Sequence, residues 1–129
     1  MANSHTRIRL TEVKDSAPEF GLEEIHEARF AQGDLDAEQT GISHYRLKPG
    51  KRQPFGHRHE EAEEIYVILN GNGRFKLDDE IIEVQPLDAI RVSPKVTRAV
   101  EAGRGGIEYI AVGPHYKGDG ELIQGWWSD

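Results

Sequence analysis

From residue 41 onward, short apolar runs alternate with Gly, Pro, Asn and Asp about every 8 to 12 residues, the rhythm of an all-β sandwich or barrel. Amphipathic helices would need longer periodic stretches. The pattern predicts strands over residues 41–48, 55–59, 64–69, 73–77, 81–84, 89–92, 96–101 and 107–112. Turns are expected at Pro49-Gly50, Asn70-Gly71-Asn72-Gly73, Asp78-Asp79-Glu80, Ser93-Pro94 and Gly103-Arg104-Gly105-Gly106, which supply residues that tolerate positive φ or preset it. Residues 1–40 are less regular. Ile8 and Leu10 alternate with Arg7 and Arg9 and read as a first strand. Between Pro18 and Ala31, Leu22, Ile25 and Ala28 fit a helix about as well as Ala28 and Phe30 fit a strand, and we read a short helical turn followed by a strand. Near the carboxyl end, Trp126 and Trp127 are expected to leave water by packing on the barrel or on a partner subunit.

A chain of 129 residues is one domain. We divide it into an amino-terminal segment packing on the barrel (1–40), a barrel core (41–113) and a tail (114–129). The absence of cysteine excludes disulfide frameworks and thiolate zinc ribbons. With 16 Lys and Arg against 23 Asp and Glu the net charge is −7, so the molecule repels phosphate backbones and anionic lipid, and neither nucleic acid nor membrane is an expected partner. No run approaches the ~20 apolar residues of a membrane span, and Met1 to Leu10 is polar, unlike a secretion signal. The expected compartment is the cytoplasm. A small antiparallel barrel has edges to protect, which leads us to expect a homodimer. The runner-up is a monomer whose tail folds over its own barrel opening.

His57-Arg58-His59 falls in a predicted strand, where side chains two apart share a face about 6.6 Å apart. Both imidazoles can reach one ion. Glu64 opens the next strand, and alternation sets it on the same face as Tyr66 and Ile68. Two imidazoles and a carboxylate are a donor set for a divalent transition metal: the nitrogens suit Fe, Ni, Cu or Zn, and the carboxylate suits harder ions such as Mn. His-x-His by itself reads more plainly as an exposed or hydrogen-bonded pair. Glu63 replaces Glu64 only if the turn is one residue shorter, and Glu60, Glu61 and Glu63 form an acidic turn expected to face water. Either His44 or Tyr45 points inward, and we read His44 as a hydrogen-bonded strand residue in preference to a replacement ligand. His5, His26 and His115 receive no role. Arg104 among its glycines has no Gly-Lys-Ser/Thr after it, so a phosphate loop is not expected. Without cysteine or a nucleophile elbow, acyl-enzyme chemistry is not expected either.

The spacing His57-x-His59-x4-Glu64-x6-Gly71 matches the first motif of the cupin superfamily, and residues 41–113 resemble a small single-domain cupin. The family's leading glycine is displaced by one position, to Gly50. The resemblance implies a small antiparallel jelly-roll β-barrel (a double-stranded β-helix) with little helix, usually homodimeric, with a site inside the barrel mouth. The second family motif, G-x5-P-x-G-x2-H-x3-N, is mostly lost. Laid over residues 87–102 it puts Leu87 and Lys95 on the glycines, Ser93 on the proline, Arg98 on the histidine and Ala102 on the asparagine. A register one residue later puts Ala99 on the histidine. We prefer Arg98, because Val96, Arg98 and Val100 then face inward and Thr97, Ala99 and Glu101 outward, burying two valines in place of a glutamate. In either register the fourth ligand is missing, and guanidinium has no lone pair to replace it. Arg98 would oppose a metal, pair with Glu64, or receive an anionic ligand such as a carboxylate. Three protein ligands still suffice in two-His-one-carboxylate sites.

Three functions follow. The first is a metal-dependent enzyme (oxygenase, isomerase or lyase) on a small carboxylate-bearing substrate. In it His57, His59 and Glu64 hold Fe, Mn, Ni, Zn or Cu, Arg98 orients the carboxylate, and Tyr66 donates a proton. The second is a non-catalytic small-molecule binder in which Arg98 and Glu64 form the polar end of a pocket lined by Phe55, Tyr66, Ile68, Phe75 and Val100. The third is a structural dimer with a vestigial site.

Overall fold

The alternation of short strands and turns folds into one strongly curled antiparallel sheet in a computed structural model that describes residues 4–129. Its strands are β1 (His26–Phe30), β2 (Thr40–Leu47), β3 (Gly56–His59), β4 (Glu64–Leu77), β5 (Glu80–Val84), β6 (Ala89–Val92), β7 (Arg98–Pro114) and β8 (Gly120–Ile123). The long strand β7 is the hub and pairs with β2, β3 and β4, while β4 also carries β5 and β6. Among the described residues, regular structure besides is slight: one four-residue helix, Gln32–Leu35, and two 3-10 turns, Leu10–Glu12 and Ala17–Phe20. Among the described residues no helix is long and apolar enough to cross a membrane.

Three sequence expectations need correction. Residues 64–77 form one strand where a turn at Asn70–Gly73 was expected, and residues 98–114 form another where a hairpin was expected at Gly103–Gly106. The two glycine stretches lie side by side and let β4 and β7 bend together, with register breaks between Ile68 and Asn70 and between Gly71 and Gly73. Gly71 has φ +72°, and a Cβ there would stand 2.1 Å from the Gly106 carbonyl oxygen. The backbones meet too closely for any side chain. The third correction concerns Ile8 and Leu10, which lie ahead of and within the first 3-10 turn instead of in a strand. The helical turn and following strand expected between Pro18 and Ala31 correspond to Ala17–Phe20 and β1.

Alternation on β4 and β7 puts Tyr66, Ile68, Phe75, Val100 and Tyr109 into the core between the curled halves of the sheet, each 3 % exposed or less. Tyr109 meets Tyr66 and Phe75 edge-on, at 5.8 Å and 5.7 Å between ring centroids, and stacks on Tyr45 at 5.0 Å. Tyr45 thus takes the inward position on β2, and His44 bonds Glu108 Oε2 through Nε2 at 2.7 Å, as a strand histidine rather than a site ligand. Thr97 and Ala99 were expected on the water side of β7, yet both are buried. For Thr97 the tail accounts for it. Trp126 lies against Thr97 and Gly56, Lys76 bonds the Trp126 carbonyl, and the Trp127 indole donates to the Gln53 carbonyl at 2.6 Å. Of the two packing modes expected for the tryptophans, the chain's own sheet is the one observed.

Candidate metal centre

Strand β3 is held on both sides: His57 pairs with Arg98 of β7, and residues 56–59 pair with Ile123 to Gly120 of β8. This fixes His57 and His59 on one face, their rings perpendicular with centroids 5.5 Å apart. Strand β4 begins across the site, and its first inward side chain is Glu64. One carboxylate oxygen of Glu64, Oε1, stands 3.6 Å from His57 Nε2 and 3.3 Å from His59 Nε2. Ligand atoms of all three residues lie within 4.8 Å of one another. Glu63 points away to exposed Arg91, 3.3 Å off, and Glu60, Glu61 and Glu63 are exposed. The three expected ligands therefore converge, each half-buried at the mouth of the curl.

The spacing fits an ion. Two ligand atoms each about 2.1 Å from a tetrahedral metal stand ~3.4 Å apart, and the two Nε2-to-Oε1 separations lie on either side of that value. His59 Nε2 is also buried without a hydrogen-bond partner. A buried ring nitrogen facing a carboxylate is costly unless something ligates it. Burial pushes the His57 ring below its ordinary pKa and the Arg98 charge adds to this, outweighing the pull of Glu64, so its nitrogen lone pair is available at neutral pH. Burial pushes the Glu64 carboxyl up, but His57, His59 and Arg98 outweigh it and hold Glu64 well below the usual carboxylate range. Two imidazoles and a carboxylate are the chemistry a divalent transition metal takes.

Arg98 is wholly buried, with the inward orientation that the preferred register requires. Its Nη2 donates to Glu64 Oε1 at 3.0 Å, its Nε to Tyr66 Oη at 3.2 Å, and its Nη1 to the Pro94 and Val96 carbonyls at 3.1 Å and 2.6 Å. The expected pairing with Glu64 is present. Tyr66 donates in turn to Glu64 Oε1 at 2.9 Å. Burial pushes the Tyr66 phenol well above its ordinary pKa and the nearby Glu64 charge adds to this, so the hydroxyl keeps its proton. The expected apolar lining divides. Ile68, Phe75 and Val100 pack in the core beneath Tyr66, whereas Phe55 sits half-buried in the bend before β3, outside that cluster. Pro54 and the bend break the alternation that would have aligned Phe55 with His57.

One contributor went unnoticed in the sequence. Asp119, between β7 and β8, puts Oδ2 3.3 Å from His59 Nδ1 and accepts the backbone N–H groups of Glu60, Glu61 and Ala62. It lies 60 positions from His59, in Lys117-Gly118-Asp119-Gly120, which reads as an ordinary turn. No local pattern marks it.

Solved structures with this architecture include a cupin protein from Bacteroides fragilis (TM-score 0.72, 23 % identity, 91 % of this chain and 89 % of that one). The polyketide cyclase RemF from Streptomyces resistomycificus matches at TM-score 0.74 and 20 % identity over 100 % of this chain and 89 % of its own. An oxalate decarboxylase variant from Bacillus subtilis gives TM-score 0.76 and 21 % identity over 95 % of this chain but only 33 % of its own length. In sequence, 45 residues are 44 % identical to an uncharacterised protein of Methanocaldococcus jannaschii, a stretch covering 35 % of this chain and 36 % of that protein. The cupin domain profile matches residues 43–112, more than half of the chain and all of the His-His-Glu cluster, and the protein belongs to the cupin domain family.

Proposed function

We propose that the protein binds a divalent transition metal through His57, His59 and Glu64 and acts as a metal-dependent enzyme on a small anionic substrate. The convergence of the three donors, with His59 Nε2 buried and unpartnered, carries the reading. Fe, Mn, Ni, Zn and Cu are all compatible with the donor set. A bound metal supplies a Lewis acid that polarises a substrate oxygen. The chain's own groups set the electrostatics around it. Glu64 and Arg98 cancel in charge and the Asp119 carboxylate beside His59 offsets only part of a divalent ion's charge, so a bound ion would leave the site net positive. Positions left open by three protein ligands then favour an anionic group such as a carboxylate. Four of the five N–H donors of Arg98 go to Glu64, Tyr66 and two carbonyls, which supports a part in holding Glu64 and supplying positive potential. Tyr66 keeps its hydroxyl proton on Glu64 and steadies that carboxylate. Self-association as a dimer belongs to the same proposal, supported by Ile65 and Leu69, exposed on the face of β4 opposite Tyr66 and Ile68.

A second reading, a non-catalytic small-molecule binder, is favoured by one observation: the buried guanidinium already satisfies Glu64 as a metal would. Calorimetric titration of chelator-treated protein with Zn2+ or Mn2+ separates the two. The enzyme reading requires saturable binding of one ion per chain, weakened at least tenfold in His57→Ala. Equal and negligible binding by both proteins leaves the second reading in place.

A further inference from the structure

We infer that Asp119 is a positioning residue for His59: its carboxylate acts as the acceptor for Nδ1–H, which keeps the proton on that nitrogen and leaves the unprotonated Nε2 facing Glu64. The inference rests on the proposed metal site and concerns how that site is built. Its ground is the competition between two carboxylates for one ring. His59 lies between Glu64 Oε1, 3.3 Å from Nε2, and Asp119 Oδ2, 3.3 Å from Nδ1, and neither contact is aligned as a hydrogen bond. In the neutral ring one nitrogen carries the proton and the other a lone pair, and the better acceptor decides which. Glu64 Oε1 already receives the Tyr66 hydroxyl and the Arg98 guanidinium. Asp119 Oδ2 receives only the Ala62 N–H, so it has acceptor capacity to spare.

Asp119 is also firmly placed. Its side chain is 6 % exposed, its Oδ1 accepts the N–H groups of Glu60 and Glu61 at 3.1 Å and 3.0 Å, and Oδ2 accepts that of Ala62 at 3.0 Å. The Glu60 N–H is shared with the Asp119 carbonyl at 3.2 Å. The loop that joins the two histidines to Glu64 is thus wrapped around this one carboxylate, and the chain runs directly on into β8, the partner of β3. A carboxylate behind a metal-binding histidine fixes both the tautomer and the direction of the ring, and losing such a partner costs ten- to a hundredfold in metal affinity.

Asp119→Asn tests the assignment, because it keeps the side chain's size and places an amide NH2 where Oδ2 accepts the Ala62 N–H and faces His59 Nδ1. Two readouts are needed on chelator-treated protein at about pH 8: the His59 tautomer from long-range 1H–15N spectra, and the affinity for Zn2+ by calorimetry. The expected result is an Nδ1–H tautomer in the wild type, a shift toward Nε2–H in Asp119→Asn, and ten- to a hundredfold weaker zinc binding. An Nε2–H tautomer in the wild type overturns the inference without any variant, which settles the matter should Asp119→Asn not fold. An unchanged tautomer with unchanged affinity overturns it too, and assigns Asp119 to the loop alone. If the wild type binds no zinc but the tautomer shifts as expected, the positioning role stands and the metal reading falls.

Discussion

Arg98 decides the character of the site, and its effects on stability and on metal affinity have opposite signs. Inside the protein the guanidinium is paired with Glu64 and bonded to Tyr66 and two backbone carbonyls. Its removal leaves those acceptors, one of them charged, in a dry environment, and breaking a buried ion pair from one side costs about 3 to 5 kcal/mol. The same removal takes a repelling charge from beside the ion and frees Glu64. Arg98→His further adds a nitrogen donor at the position paired with His57 across β3 and β7. The expected outcome is a metal-free protein less stable by about 3 kcal/mol in urea titration, with Zn2+ affinity raised at least tenfold in calorimetry. Unchanged affinity would show that the guanidinium has no influence on the ion. This much was legible in the sequence, because alternation between two valines fixes which way residue 98 points. The fate of its donors was not: Pro94, Val96 and Tyr66 come to it only when the sheet curls.

At the scale of elements, β2, β3, β5 and β6 fall where strands were expected, β8 lies within residues read only as a tail, and the two long strands were read poorly. Asn70-Gly71-Asn72-Gly73 and Gly103-Arg104-Gly105-Gly106 have the composition of turns, since a turn and a sharp bend both call for residues that accept positive φ. What separates them is the partner. A turn sends the chain back along itself, whereas here Gly71 pairs with Ile107 and Gly73 with Ala102, so both strands pass through the bend still paired. That pairing is non-local and leaves no mark in either segment alone. The distinction has a measurable consequence at Gly71. In an open hairpin, alanine at a left-handed position costs on the order of 1 kcal/mol. Here the Cβ would also meet the Gly106 carbonyl at 2.1 Å, and we expect Gly71→Ala to lose about 3 kcal/mol or more in thermal or urea unfolding. A loss below about 1 kcal/mol would mean that β4 and β7 can part at the bend.

For the whole molecule, sequence distance separates what was read from what was missed. His57, His59 and Glu64 fall within one strand-turn-strand and carry a recognisable spacing, while Asp119 and the tail that packs beside Thr97 arrive from the far end of the chain. Charge ties these distant parts together on the outer surface. Glu27 of β1 bridges Arg29 and Arg46 at 2.6 Å each, Glu108 of β7 takes His44 and Asn70 at 2.7 Å and 2.8 Å, and Glu101 of β7 takes Arg52 and Arg74, which both also reach Asp129 at the carboxyl end. Burial raises Glu27, Glu101 and Glu108, and their partners outweigh it, holding each below the ordinary value of 4.5. Such a group binds protons more weakly folded than unfolded, so its stabilisation is present above 4.5 and is lost as pH falls through the folded value. His26 adds an earlier phase. Burial lowers it from 6.5, with Asp15 opposing in part, so the unfolded chain takes up that proton first and stability begins to fall just below 6.5. The metal-free protein should therefore show a urea midpoint that is flat from about pH 8 to 7, declines gently below 6.5 and drops steeply below 4.5. A midpoint that rises on acidification would mean that the bridges of Glu27, Glu101 and Glu108 do not persist in solution, since nothing else among these groups changes sign.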